Sequence, residues 1–110
     1  MPDIPSLGDF EQLVLLALLR LGADAYGVPI REEIRVRADR AVSLGSVYKT
    51  LERLEIKGYV SSFVGEPTNE RGGRRKKYFR LESHGRRVLQ HSLAALRRMT
   101  SGLGREVELP

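Results

Sequence analysis

V-S-L-G-S-V-Y-K-T-L-E-R-L-E-I-K-G-Y-V, from Val42 to Val60, carries a start signal, a stop signal and two distinct faces between them. Ser43 is a good N-cap, because its hydroxyl can accept from an unpaired N–H of the first helical turn. Gly58 is a good stop, because glycine enters the left-handed region freely. Between them Leu44, Val47, Tyr48, Leu51 and Leu54 recur at helical spacing and form one apolar face. Ser46, Lys49, Thr50 and Arg53 fall on the opposite face, with Lys57 a turn further on. Short hydroxyls followed by long cations suit a helix lying in a groove of DNA with its first turns toward the bases. Glu52 and Glu55 share the helix, so an ordinary solvated face is the alternative, and the flanking segments must decide.

Upstream, residues 28–37 read as a helix with Pro29 in its first turn, where a missing N–H does no harm. Val28, Ile30 and Ile34 form its buried side, and the exposed side mixes Arg31, Glu32, Glu33, Arg35 and Arg37. Ala38 to Val42 then connects two helices in the outline of a helix-turn-helix with a somewhat long turn. A still earlier helix runs from about Asp9, its expected N-cap, to Leu21, with Gly22 as its stop. It is apolar nearly all round. Such a helix must be covered on several sides, either wholly by its own domain or partly by a second subunit.

Downstream, Tyr59 to Val64 is rich in strand formers, Gly65 to Gly73 is rich in turn residues, and Lys77 to Leu81 alternates as a second strand. A helix-turn-helix followed by a hairpin is the outline of a winged helix. From Arg71 to Lys77 the chain carries five cations (Arg71, Arg74, Arg75, Lys76 and Lys77) and no acid. Cations on a strand edge can serve merely to block aggregation. That role does not account for five of them beside a cationic helix, and the pair of elements favours nucleic acid as the partner. The last helix, from about Ser83 to Leu103, bears Leu89, Leu93, Leu96, Met99 and Leu103 along one side. This stripe can pack on its own domain or pair with a second copy.

The chain has 110 residues, enough for one domain with a modest core. Its 19 Lys and Arg outnumber 14 Asp and Glu, a net charge of +5, which favours a polyanionic partner where the charge is clustered. Without cysteine there is no disulfide, thiolate zinc site or cysteine nucleophile. His84 and His91 are seven apart with no evident third ligand, so no metal is expected. Gly72-Gly73 lacks the spacing of a phosphate loop, and no serine sits in a nucleophile motif. No catalytic residue and no cofactor is expected. The start has neither the charge nor the apolar core of a secretory signal, and the run from Leu13 to Leu19 is too short to span a bilayer. The expectation is a cytoplasmic protein with no membrane partner.

Several blocks together resemble the PadR family of bacterial transcriptional regulators. They are Leu7-Gly8 with Phe10-Glu11, Tyr26-Gly27, Ser43 to Tyr48, Leu51 to Glu55 with Lys57-Gly58, and Gly73 to Leu81 with Gly85. The resemblance runs from about Leu7 to Met99. Its order and spacing carry more weight than any one block. It implies a winged-helix protein, usually a repressor, that forms homodimers through a C-terminal helix packed with the first helix. Carried over by position, Ser46, Tyr48, Lys49, Thr50 and Arg53 are recognition-helix residues, and Arg74, Arg75 and Lys76 belong to the wing; Arg71, in the same cationic run, is a further candidate for DNA contact. Tyr48 has two readings: the helical face makes it core, whereas the family often points this tyrosine at a phosphate. The single C-terminal helix is similar to the short subgroup, without the extended helical domain that would enclose a large effector pocket. There is also no tryptophan to stack on a flat ligand.

The expected fold is therefore mainly α (α+β): a winged helix-turn-helix over residues 6–82 and a dimerisation helix over 83–104, with flexible ends at 1–5 and 105–110. The dimer interface is assigned to Leu13, Leu16 and Leu19 of the first helix with Leu89, Leu93, Leu96, Met99 and Leu103 of the last. The partners expected are a palindromic DNA operator and a second copy of the chain, and the sequence names no small-molecule effector. The rival readings are a winged-helix module that binds protein and one that binds RNA.

Overall fold

Three helices, a two-stranded hairpin and a closing helix make up the computed structural model, which describes residues 6–66 and 75–107. The helices are α1 (Asp9–Leu21), α2 (Gly27–Arg37), α3 (Leu44–Ile56) and α4 (Ser83–Thr100); the antiparallel strands are β1 (Val60–Val64) and β2 (Lys77–Leu81). This is the winged-helix arrangement that the sequence predicts. Of the expected flexible ends at 1–5 and 105–110, residues 1–5 and 108–110 lie outside the described residues, as do Arg71 and Arg74 of the expected wing.

Both end signals of α3 act as its chemistry requires. Ser43 Oγ accepts the N–H of Ser46 at 3.0 Å. At the other end the N–H of Gly58 meets the carbonyl of Glu55 at 3.0 Å and that of Tyr59 meets Leu54 at 2.9 Å. These two bonds need Gly58 in the left-handed region, where its φ is 79°. The other starts differ slightly from expectation. Gly8, not Asp9, is the N-cap of α1, and Glu82 precedes α4 without capping it through its side chain. Tertiary bonding fixes the second start: the Glu82 N–H donates to the carbonyl of Tyr59 at 2.9 Å.

The core lies where α1, α2, α3, the hairpin and the first half of α4 meet. Val14, Leu15 and Leu18 of α1 pack with Ile30 and Ile34, with Val47, Leu51 and Leu54, and with Tyr59, Val60 and Phe79. Strand β2 has a neighbour on each side. It pairs with β1, Phe63 opposite Tyr78, and also with the segment before α2, where Tyr26 bridges Tyr78 and the Phe79 N–H reaches Ala25. The sequence reading places α4 outside the winged-helix core, and here it needs correction. Val88 and Leu89 are both 2% exposed and complete that core, so the unit at 6–82 does not close without them. Leu89 is thus no interface residue: its own domain already covers it.

Among the ion pairs that join segments distant in sequence are Arg40 with Asp9 at 2.8 Å and Lys57 with Glu11 at 3.2 Å. Burial pushes the Glu11 carboxyl upward, but the Gly8 N–H and the Lys57 ammonium outweigh it and hold the group below its ordinary range. A carboxyl depressed in the fold contributes stability that is present above its unfolded pKa and lost as pH falls through the folded one. Glu11→Gln should therefore lower the melting temperature at neutral pH and make little difference at a pH acid enough to protonate the carboxyl in the fold. Thermal melts at the two pH values check this; an equal deficit at both would remove the ion pair from the account.

Candidate nucleic-acid interface

One face of α3 is sealed into the core and the other is open. Val47, Thr50, Leu51 and Leu54 are buried, while Gly45, Ser46, Lys49, Glu52, Arg53 and Ile56 are exposed. Three of the expected contact residues, Ser46, Lys49 and Arg53, thus share the open face. Thr50 does not, and its assignment is corrected: at 1% exposure it cannot reach a partner. The spacing explains the outcome, since residues 47, 50, 51 and 54 recur at i, i+3, i+4 and i+7. Its hydroxyl instead accepts from Arg53 Nη2 at 3.3 Å, which draws that guanidinium along the helix surface. Lys49 makes no ion pair or hydrogen bond among the described residues, so its ammonium is available. The Ser46 hydroxyl accepts from that of Ser43 at 2.9 Å and is oriented by the helix cap.

Tyr48 is half-buried and combines its two readings. Its phenol lies flat on the start of α2, so close that a β-carbon on Gly27 would stand 2.4 Å from the hydroxyl. Glycine at position 27 is what lets the ring settle there, with its hydroxyl at the first turn of α2.

The hairpin is fastened to α3 by Glu55. Its carboxylate accepts from Ser62 Oγ at 2.5 Å and faces Lys77 Nζ at 4.0 Å. Strand β1 thus carries the orientation of α3 into the wing. Of the expected wing cations, Arg75 is exposed, whereas Lys76 is half-buried. The Lys76 ammonium lies 4.6 Å from the centre of the Tyr26 ring and donates to its hydroxyl at 3.3 Å. Tyr26 meets Tyr78 edge-on at 5.5 Å, and Tyr78 stacks on Phe63 at 5.5 Å, an aromatic row that stiffens the base of the hairpin.

Sequence reasoning missed Glu55 as a positioning residue and Ile56 as a surface one. The Ile56 side chain is 86% exposed on the same face as Lys49 and Glu52, which precede it by two helical turns and one. By residue type alone, an isoleucine at the end of an amphipathic helix passes for core. Its spacing from Lys49 and Glu52 was the signal that could have found it.

The model of the transcriptional regulator PadR-like family matches residues 15–91, well over half of the chain. The chain belongs to the PadR-like family of transcriptional regulators. Solved structures agree. A PadR family transcription regulator from Clostridium difficile R20291 is 25% identical, with a TM-score of 0.75 over 92% of this chain and 100% of its own. A PadR family regulator from Eggerthella lenta is 26% identical, with a TM-score of 0.65 over 90% of this chain and 84% of its own. A PadR-like regulator from Bacillus cereus is 16% identical and shares the fold, with a TM-score of 0.71 over 92% and 93% of the two chains. No curated protein matches. As a PadR-like regulator the chain is a DNA-binding protein rather than an enzyme. Among its described residues no group of carboxylates and histidines could hold a metal, and no helix is long and apolar enough to cross a membrane.

The residues expected at a dimer interface divide by position. On α1, Leu13 and Leu16 are half-buried and Leu19 is 41% exposed. They line an open groove of about 920 Å³ between α1 and α2, floored by Ala17 and Ile34. On α4, Leu93, Leu96 and Met99 are exposed, as is Leu103 beyond its end.

Proposed function

We propose that this PadR-like regulator is a homodimeric repressor that occupies a palindromic operator and excludes the polymerase. The observation that carries the reading is the division of α3, whose inner face is locked into the core while Ser46, Lys49 and Arg53 stand together outside. A helix held this rigidly can present side chains to base edges in the major groove without ordering its own backbone on binding. The wing, with Arg75 and Lys76 among the described residues and Arg71 and Arg74 in the rest of its loop, meets the flanking backbone. Tyr48, on the edge of α3, reaches a phosphate with the hydroxyl that rests on Gly27. Dimerisation brings the exposed stripe of α4 onto the α1–α2 groove of a second copy, and the two copies of α3 then address half-sites about one helical turn apart.

Lys49→Ala tests the reading. It should weaken operator binding and reduce discrimination at one base position by about 1–3 kcal/mol, with the footprint length unchanged. Alanine at Arg75 and Lys76 should weaken specific and random duplexes alike and reduce the salt slope by roughly one unit for each phosphate no longer neutralised. A labelled duplex competed away equally by unlabelled RNA, or no duplex binding at low salt, would refute operator recognition.

A further inference from the structure

A second concavity, of about 460 Å³, lies between the end of α1, the two strands and the first turn of α4. That volume falls within the range of small-molecule sites, about 300–1,000 Å³. Leu18, Leu19 and Leu81 give it aliphatic walls, and Phe63, 44% exposed, forms another. Gly22, Ala23 and Phe79 also line it, together with two guanidinium groups, Arg80 and Arg86, and no acid among the described residues takes part. Neither arginine side chain makes an ion pair or a hydrogen bond among the described residues. Glu82, one turn before Arg86, commits its carboxylate to Ser61 Oγ. Arg80 is held in place by the Phe63 ring, 5.1 Å from guanidinium carbon to ring centre.

Two unneutralised cations beside an apolar wall repel each other and have no anion to share. A guanidinium fork matches a carboxylate in two parallel bonds, and one that is already immobilised loses little freedom on binding. The apolar walls call for an aliphatic rather than an aromatic body. Tyr78 stacks on Phe63, Arg80 lies over the same ring, and Phe79, also in the lining, is buried, so among the described residues no free aromatic face is left for a flat ligand to stack on. We propose that this cleft binds a medium-chain aliphatic carboxylate, its head between Arg80 and Arg86 and its tail along Leu18, Leu19 and Leu81. The site joins the wing to the first turn of α4. Leu19 also lines the α1–α2 groove, so an occupant touches both the DNA-binding hairpin and the edge of that groove.

Octanoate is the probe, titrated into the intact protein without DNA and followed by amide chemical shifts. The expected result is saturation below about 1 mM with the largest shifts at Phe63, Arg80 and Arg86. Octanol, which lacks the charge, and inorganic phosphate, which lacks the tail, should each bind at least tenfold more weakly. Arg80→Gln with Arg86→Gln, both at exposed positions, should weaken octanoate at least tenfold while the circular dichroism spectrum is unchanged. If the double variant loses its fold, each single substitution should still weaken binding about threefold. The proposal is overturned by an absence of saturable shifts, by octanol binding as well as octanoate, by unchanged affinity in the folded variants, or by shifts confined to the α1–α2 groove. None of these outcomes bears on operator recognition, which is read with DNA alone.

Discussion

Gly85→Ala should lower the stability of the protein by about 3 kcal/mol, although alanine is the better helix former. At an open site in a helix interior the exchange gains about 1 kcal/mol. Position 85 is not open. A β-carbon there would stand 2.3 Å from the carbonyl oxygen of Tyr59 and 2.9 Å from Leu81 Cδ1. The first neighbour is backbone and cannot turn aside. That oxygen accepts the Glu82 N–H, while the Tyr59 N–H closes the end of α3 on Leu54, so moving it disturbs two elements at once. If α4 moves instead, Val88 and Leu89 leave the core. Overpacking of this kind costs more than the helical preference returns. For a domain of this size the loss corresponds to a fall in melting temperature on the order of 10 °C or more. Gly45→Ala is the control, because its β-carbon would come no closer than 3.9 Å, at Ser43 Oγ, to any described residue beyond its chain neighbours and its own helix backbone. It should leave stability unchanged or raise it by about 0.5–1 kcal/mol. Urea titration of the two variants gives both numbers, and equal midpoints would show that the approach at Gly85 has no energetic consequence.

The same glycine marks the limit of what the sequence discloses. The bounds of α3 were legible because Ser43 and Gly58 act locally, through bonds to residues within five positions of themselves. The hairpin was legible for a similar reason, since strand formers flank a turn-rich stretch. Whether the last helix joins the core depends on how closely it approaches Tyr59, and Gly85 permits that approach across 26 positions of sequence. Periodicity put Leu89 and Leu96 on one stripe, as it should, but it could not divide that stripe between the inside of the domain and its edge. Thr50 failed through chemistry rather than geometry. Its positions relative to Val47 and Leu54 were those of a buried residue, but a hydroxyl counts as polar until a donor such as the Arg53 guanidinium is seen beside it. The ties from Glu55 to Ser62 and Lys77 and from Glu11 to Lys57 link polar side chains of ordinary kind, and only the fold brings them together.

Leu96→Glu combined with Met99→Glu should convert the proposed dimer to monomers and weaken operator binding at least 100-fold. The burial of Leu89 decides which residues are substituted and which experiment is informative. Cutting the chain before α4 would remove Val88 and Leu89 from the core, so its effect on assembly could not be told from unfolding. Leu96 and Met99 are 50% and 77% exposed, and their replacement leaves that core intact. Covering such side chains is worth about 1.5–3 kcal/mol each, and a two-fold axis uses every contact twice. A carboxylate in the same place is instead buried without a partner or keeps the helices apart. Loss of the dimer makes the second half-site an independent event. The linkage between half-sites, typically 10²–10⁴ in affinity, is then forfeited while each single contact survives. Ala94→Glu is the control, since two residues from Leu96 is about 200° around the helix, on its far side. It should leave the assembly and the footprint as they are. Sedimentation at micromolar concentration, run beside footprinting on a palindromic site, separates the outcomes. A native protein that sediments as a monomer while protecting both half-sites would rule out dimerisation as the basis of operator recognition.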